Sequence, residues 1–320
     1  MTNATLPKML PGDIINDSAV VIGSFESGSD EWHEARANGI GGSEIPSIVG
    51  LNQWESYFST YYRKLDKLRP VEESDPMKWG TLIEPVIYEE YRKNHLRPGL
   101  RMTTGHTFHH IERPWQIANP DGLMWDADGN LVDLLEIKTA GVAEKWGPSG
   151  TDLIPINYRC QMAWYMDVLG LRSGVLRVLI GSSDERTYRI TPTQEDLEFL
   201  RNSGAEFMHA LKNGIEPNLD SHMATYQAQR EMHPLIDDTV VQINTDLADR
   251  WWASADKLKA AEEEQLGVKI EIAAKMGLAK MAMCGDEKIA YRQRPARGGD
   301  PFVKSAIRPK FQDHIAPVAA

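Results

Sequence analysis

The chain has 320 residues, 42% of them hydrophobic and 25% charged. That usage is ordinary for a globular protein, and the length exceeds one typical domain of roughly 100 to 200 residues, so a large domain with a smaller appendage is expected. A net charge of −11 argues against a generic polyanion binder, although residues 288–310 hold seven basic side chains against Asp300, a local +6 that leaves −17 on the rest.

In chain order, Ser29 reads as the cap of a short helix through EWHEARAN, and Ser43 as the start of a second through EIPSIVG, each closed by a glycine. A longer helix follows over 56–68. Pro85 is tolerable only in a first turn, so the helix holding TLIEPVIYEEYRKN is expected to begin near Thr81. Between 107 and 138 the pattern changes to TFHHI, WQIANPDGLMW and LVDLLEIKT, separated by turns, which predicts an antiparallel meander. Alternation in its last strand puts Leu131, Asp133, Leu135 and Ile137 on one face and Val132, Leu134, Glu136 and Lys138 on the other.

Residues 153–170 predict a helix with Pro155 at its start and Gly170 at its end. A hairpin across SSDE comes next, then a helix capped by Thr193 with Leu197, Leu200, Phe207, Met208 and Leu211 at helical spacing. Residues 214–245 lack a period and read as a connector. Residues 246–276 read as one helix with Gly267 as a weak point, followed by strand-like KIAYRQR. The expected division is thus 1–213 as the body, 214–245 as connector, and 246–320 as a helical arm with a basic β element.

The sharpest chemical signal is Pro120-Asp121 followed by Glu136-Ile137-Lys138, with Glu84 upstream on a helix. Carboxylates a few ångströms apart are costly unless a cation sits between them, and hard oxygen ligands suit Mg²⁺ or Mn²⁺. A neighbouring ammonium on Lys138 can orient water and stabilise charge building on a phosphate, so the chemistry implied is phosphodiester hydrolysis. The acid-x-Lys triplet also occurs as Asp286-Glu287-Lys288, so its weight comes from the strand and the Pro-Asp around the first copy, and surface ion pairing is the competing reading. Only Cys160 and Cys284 are present, too few for a thiolate zinc site or an iron–sulfur cluster. His106, His109 and His110 read as structural. Trp54, Tyr57, Phe58, Tyr61 and Tyr62 read as core rather than as stacking platforms.

Four blocks, EARANGIGGSEIPSIVGLNQWES, MKWGTLIEPVIYEEYRK, ANPDGLMWDADGNLVDLLEIKTA and INYRCQMAWYMDVLG, resemble in order and spacing the YqaJ viral recombinase family, which includes lambda-type exonucleases. The resemblance runs from about residue 30 to 212. It implies an α/β PD-(D/E)xK core with a central mixed sheet flanked by helices, and a magnesium-dependent enzyme that digests linear double-stranded DNA from the 5′ end as a ring-shaped homotrimer. It implies that Asp121, Glu136 and the Ile137 carbonyl bind metal, with Glu84 as the helix acid near the metals. Lys138 would position or activate water, and Gln161 would be the glutamine on the helix after the motif strand. Arg36 and Ser43 match positions that hold the 5′ phosphate. For Ser43 a helix N-terminus offers a second reason, since free N–H groups attract phosphate, while plain capping is its alternative.

The expected function is a 5′ to 3′ exonuclease that leaves 3′ overhangs for recombination. The rivals are a structure-specific endonuclease of the same fold and a noncatalytic DNA-end-binding mediator. Three roles compete for the C-terminal third: trimer contacts, duplex contacts, or docking of a single-strand-annealing protein. No run of about 18 apolar residues is present to span a bilayer, and the first residues lack the basic-then-apolar order of a secretory leader, so a cytoplasmic protein is expected.

Overall fold

A computed structural model describes residues 8–25, 28–308, 311 and 314–317. Lys310 of the basic segment and residues 1–7 of the N-terminal stretch lie outside them. The chain divides into two units, one running to Pro234 and taking up the C-terminal residues from Lys310, the other Leu235–Pro309.

The first unit begins with β1 (Ile14–Ile15), β2 (Ala19–Gly23), α1 (Asp30–Ala37), β3 (Ile40–Gly41), α2 (Ile45–Ile48), α3 (Tyr57–Lys64) and α4 (Asp75–Asn94). It continues with β4 (Arg101–Thr104), β5 (Thr107–His110), β6 (Gln116–Ala118), β7 (Gly122–Trp125) and β8 (Leu131–Ala140). Then come α5 (Ile156–Leu169), β9 (Gly174–Ile180), β10 (Asp184–Ile190), α6 (Gln194–Asn213) and α7 (Met223–Met232). The second unit holds α8 (Thr245–Met276), β11 (Met281–Cys284), β12 (Glu287–Gln293) and β13 (Phe302–Ser305).

The expected α/β class holds, with mixed sheets flanked by helices. The predicted meander does not. TFHHI (β5) joins one sheet, ordered β1-β2-β5-β6-β3, but the expected strand WQIANPDGLMW breaks in two: β6 stays in that sheet, while β7 joins β8 in another, ordered β10-β9-β8-β7-β4. The chain changes sheets at Asn119–Asp121, between β6 and β7. Strand β8 runs antiparallel to β7 and parallel to β9. A parallel pair needs a crossover connection, and α5 supplies it.

Helix α5 has 11 of its 14 residues buried, as expected of a helix that is apolar nearly all round. It packs against strands of both sheets. Helix α4 covers the other face of the second sheet through Ile87 and Tyr91, which meet Leu135 and Ile137. Leu134 points into the α5-side core, so the predicted alternation holds across 134–138. It fails at Leu131, which also lies in the α5-side core, because a register shift opposite Met124 and Trp125 turns that end of the strand.

Three boundaries differ from expectation. Helix α4 begins at Asp75, with Pro76 in its first turn, and carries Pro85 in its interior. Pro85 and Thr81, whose carbonyl loses its partner, are both exposed, so water can take the place of the missing hydrogen bond. Helix α2 is a single turn of four residues with Glu44 at its N-cap position, so the helix-terminus argument for Ser43 has no support. The irregular segment read at 214–245 contains α7, anchored by a 2.7 Å contact between Ser56 Oγ and Thr225 Oγ1. Phe58, Tyr61 and Tyr62 are buried as expected, whereas Trp54 is exposed.

In the second unit, α8 runs unbroken through Gly267, and β11, β12 and β13 form a small antiparallel sheet. Among the described residues, no helix is long and apolar enough to cross a membrane.

Candidate active site

The site gathers where the chain leaves the first sheet and enters the second. Asp121 stands at the head of β7, and its Oδ2 accepts the backbone N–H of Ile137 at 2.6 Å, tying the Pro-Asp turn to β8. Period-two alternation then sends Glu136 and Lys138 together toward α5. Lys138 Nζ donates to Glu136 Oε1, and Gln161 Nε2 donates to the same oxygen at 2.6 Å. Glu136 Oε2 is buried and has no hydrogen-bond partner among the described residues. Such an atom is costly in an apolar surround.

Glu84 approaches from α4, which passes close to β8: a Cβ built on Gly80 would lie 3.5 Å from Thr139 Oγ1. Burial, then repulsion from Asp121, raises the Glu84 carboxyl to about 7 against the pull of Lys138. Burial, then Asp121, raises Glu136 to about 8, and burial raises Asp121 as well. For Lys138, burial opposes the charged form, but Glu136 and Asp121 outweigh it and hold the pKa above the ordinary lysine value. Three carboxyls with raised pKa values share the single ammonium of Lys138, so this hard donor set is short of positive charge when fully ionised, and a divalent cation fits it.

Arg36 and Ser43 meet each other, with Arg36 Nη2 donating to Ser43 Oγ at 3.0 Å. The Arg36 guanidinium lies 4.0 Å from the centre of the Trp32 ring and 3.9 Å from Glu44, which Lys64 also contacts at 2.8 Å. Two glycines make this approach possible: a Cβ on Gly41 would fall 2.3 Å from Arg36 Nη2, and one on Gly42 would fall 2.4 Å from the Tyr165 ring. Tyr165 OH in turn accepts from Gln161 Nε2 at 3.1 Å. A continuous chain of contacts therefore runs from Arg36 and Ser43 to Glu136.

Sequence reasoning missed Tyr158 and Tyr165. Lys138 Nζ lies 5.4 Å from the centre of the Tyr158 ring, and Trp146 stacks on the same tyrosine with ring centres 5.5 Å apart. The signal was available, since 158, 161 and 165 share one helix face, but α5 is apolar enough that its aromatics read as core.

A second cluster, Glu90, His95 and Glu185, also brings potential ligand atoms within 4.8 Å of one another. Arg177 already fills it, donating to Glu90 Oε2 at 2.9 Å and to Glu185. It is an ion-pair network. His109 and His110 satisfy local backbone groups, which fits their structural reading.

A mixed sheet sets an acid and a lysine two residues apart, beside an aspartate from the preceding turn, as the sequence resemblance to the PD-(D/E)xK class leads one to expect. Residues 31–172 match the family model of the YqaJ-like viral recombinase domain. The uncharacterized protein YqaJ of Bacillus subtilis is 28% identical over 213 residues, which cover 64% of this chain and 63% of that protein. A protein of African swine fever virus is 32% identical over 116 residues, 35% of this chain and 32% of that one. The chain therefore spans less than two thirds of the length of these relatives. Among solved structures, an alkaline exonuclease from Laribacter hongkongensis is 20% identical, with a TM-score of 0.47 over 59% of this chain and 95% of that one.

Proposed function

We propose that this protein is a magnesium-dependent 5′ to 3′ exonuclease that degrades one strand of linear double-stranded DNA and leaves 3′ single strands for recombination. The observation that carries this reading is the buried, unpartnered Glu136 Oε2, set among Asp121, Glu84, Lys138 and Gln161. Asp121, Glu136, the Ile137 carbonyl and Glu84 would hold Mg²⁺, with Mn²⁺ able to substitute. When bound, the ion supplies a Lewis acid for the phosphodiester and lowers the pKa of a water.

The protein's own groups do the rest. Because its pKa is raised, Lys138 is an ammonium at neutral pH, which suits it to orient the attacking water and stabilise the phosphate charge rather than to accept a proton. Gln161 fixes the rotamer of Glu136. Arg36, a planar donor fork beside Ser43 and three residues before Gly39, suits a terminal phosphate. The same reading includes a homotrimeric ring around the duplex and a single-strand-annealing partner for the product, both implied by the family resemblance, and action in the cytoplasm, which is the host's if the protein is phage-encoded.

Incubation with linear duplex labelled at either strand end, beside a covalently closed circle, tests the proposal. Magnesium-dependent loss of label from 5′-phosphorylated ends, with circles spared, is expected. Nicking of circles would overturn the exonuclease reading, and stable end binding without hydrolysis under Mg²⁺ or Mn²⁺ would favour the mediator.

A further inference from the structure

Helix α8 is 32 residues long, and of these only Met276 in the last turn is buried. Leu247, Trp251, Leu258 and Val268 are 44%, 69%, 62% and 52% exposed. They are not scattered. With Ser254, Ala261, Gln265 and Ile272 they fall at alternating steps of four and three residues, which is the heptad spacing of a coiled-coil seam. Trp252, Leu266 and Ile270, 67%, 56% and 60% exposed, lie outside this seam. An apolar band of this length left in water marks an interface. The seam ends at Ile272, which packs against the small β element through Met276 and Val303.

From this pattern we infer that α8 docks onto a second copy of itself in the antiparallel direction. Two observations select that occupant. The first is size. Reversing one copy sets Trp251 against the partner's Val268, Leu258 against the partner's Ala261 and Ser254 against the partner's Gln265. Each bulky layer then meets a smaller one, and the two polar groups of the seam meet each other. Aligned in parallel, Trp251 would stack on its own copy, and the Ser254 and Ala261 layers would be small on both sides, leaving voids that close packing disfavours.

The second observation is charge. The residues flanking one side of the seam are Arg250 and Lys257 in the first half and Glu264 and Glu271 in the second. In the antiparallel arrangement Arg250 faces the partner's Glu271, Lys257 faces the partner's Glu264, and the two-fold axis repeats both pairs. This pairing does not depend on the nuclease reading. If the body forms a three-fold ring, two-fold arm pairs join two rings. Loss of the pairing then halves the assembly, as it does for a simple dimer.

Sedimentation of the full chain, whose monomer mass is 36.0 kDa, gives the first readout. Lys257→Glu should weaken association on the order of tenfold, because the axis counts each change twice, and Lys257→Glu combined with Glu264→Lys should restore it. Leu258→Asp should halve the assembly mass while the thermal transition of the body persists. In a Cys284→Ser background, with Cys160 fully buried, the pair Ser254→Cys and Gln265→Cys should form an interchain disulfide under mild oxidation, and Ser254→Cys alone should not. A self-link through Ser254→Cys alone, failure of the double reversal to restore association, or a mass unaffected by Leu258→Asp would each overturn the inference.

Discussion

Gln161 and Glu136 are joined by a 2.6 Å hydrogen bond that couples the buried helix α5 to the motif strand β8. The bond leaves Glu136 Oε2 as the free oxygen and fixes where it points. Groups that orient a metal-ligating carboxylate typically matter 10- to 100-fold to affinity or activity. Gln161→Ala should therefore lower cleavage by about 10- to 100-fold, with duplex affinity little changed. Gln161→Glu, which adds a carboxyl to three already crowded ones, should be worse. Rates within twofold of the parent for both variants would remove Gln161 from the site.

Glu84 and Glu136, raised to about 7 and about 8, predict how stability responds to pH. A carboxyl whose folded pKa lies above its unfolded value keeps a proton that the unfolded chain has released. Each therefore costs stability as pH rises from about 4.5 to its folded pKa, and the cost levels off above it. The metal-free protein should lose melting temperature across this window. Mg²⁺ prefers the ionised form, so its stabilisation should be larger at pH 8.5 than at pH 5.5. Thermal melts with and without Mg²⁺ at the two pH values check this, and equal shifts at both would contradict it.

Parts of this arrangement were legible in the sequence, for identifiable reasons. Pro155 and Gly170 bracket α5 because the first cannot donate and the second adopts φ 65° at the cap. Thr193 caps α6 as expected, and the structure adds Asp196 to complete a capping box. Glu136 and Lys138 share a face because strand alternation is local. What the sequence did not disclose depends on tertiary partners. The split of the 107–138 strands between two sheets follows from which strands lie beside them in space, and β5 pairs with the distant β2. Pro85 stayed within α4 because that face of the helix is exposed. Tyr165 enters the site only because Gly42 lets the β3 loop close on its ring.

Asp167, near the far end of α5, organises a separate network that is structural. Gln116 Nε2 donates to it at 2.7 Å, Arg201 Nε at 2.9 Å and Arg113 Nη2 at 3.3 Å. Despite its burial, the hydrogen bonds from Arg201 and Gln116 keep this carboxyl below the usual range. Asp167→Ala strands two guanidinium groups. A fully buried broken pair costs about 3 to 5 kcal/mol, and since both arginines are partly exposed, about 2 to 4 kcal/mol is expected here. Urea unfolding measures it, and a loss below about 0.5 kcal/mol, the range of ordinary surface changes, would show that the network is dispensable.

Gly42→Ala tests the contact between the Arg36 loop and α5. The added methyl would meet the Tyr165 ring at 2.4 Å, so the loop must move away from Gln161. Cleavage of 5′-phosphorylated ends should fall more than cleavage of 5′-hydroxyl ends, because the pair proposed to hold the phosphate, Arg36 and Ser43, moves with the loop. An equal loss on both substrates would separate Arg36 and Ser43 from end recognition.

The most direct test of the central claim is single-turnover hydrolysis of a 5′-phosphorylated duplex by the parent protein, Lys138→Ala and Glu136→Gln, in Mg²⁺ and in chelator, with duplex binding measured alongside. The site as described predicts cleavage by the parent in Mg²⁺ alone, a fall of at least about 100-fold in both variants, and duplex affinity within a few-fold of the parent. Cleavage that persists in Lys138→Ala, or in chelator, would contradict it.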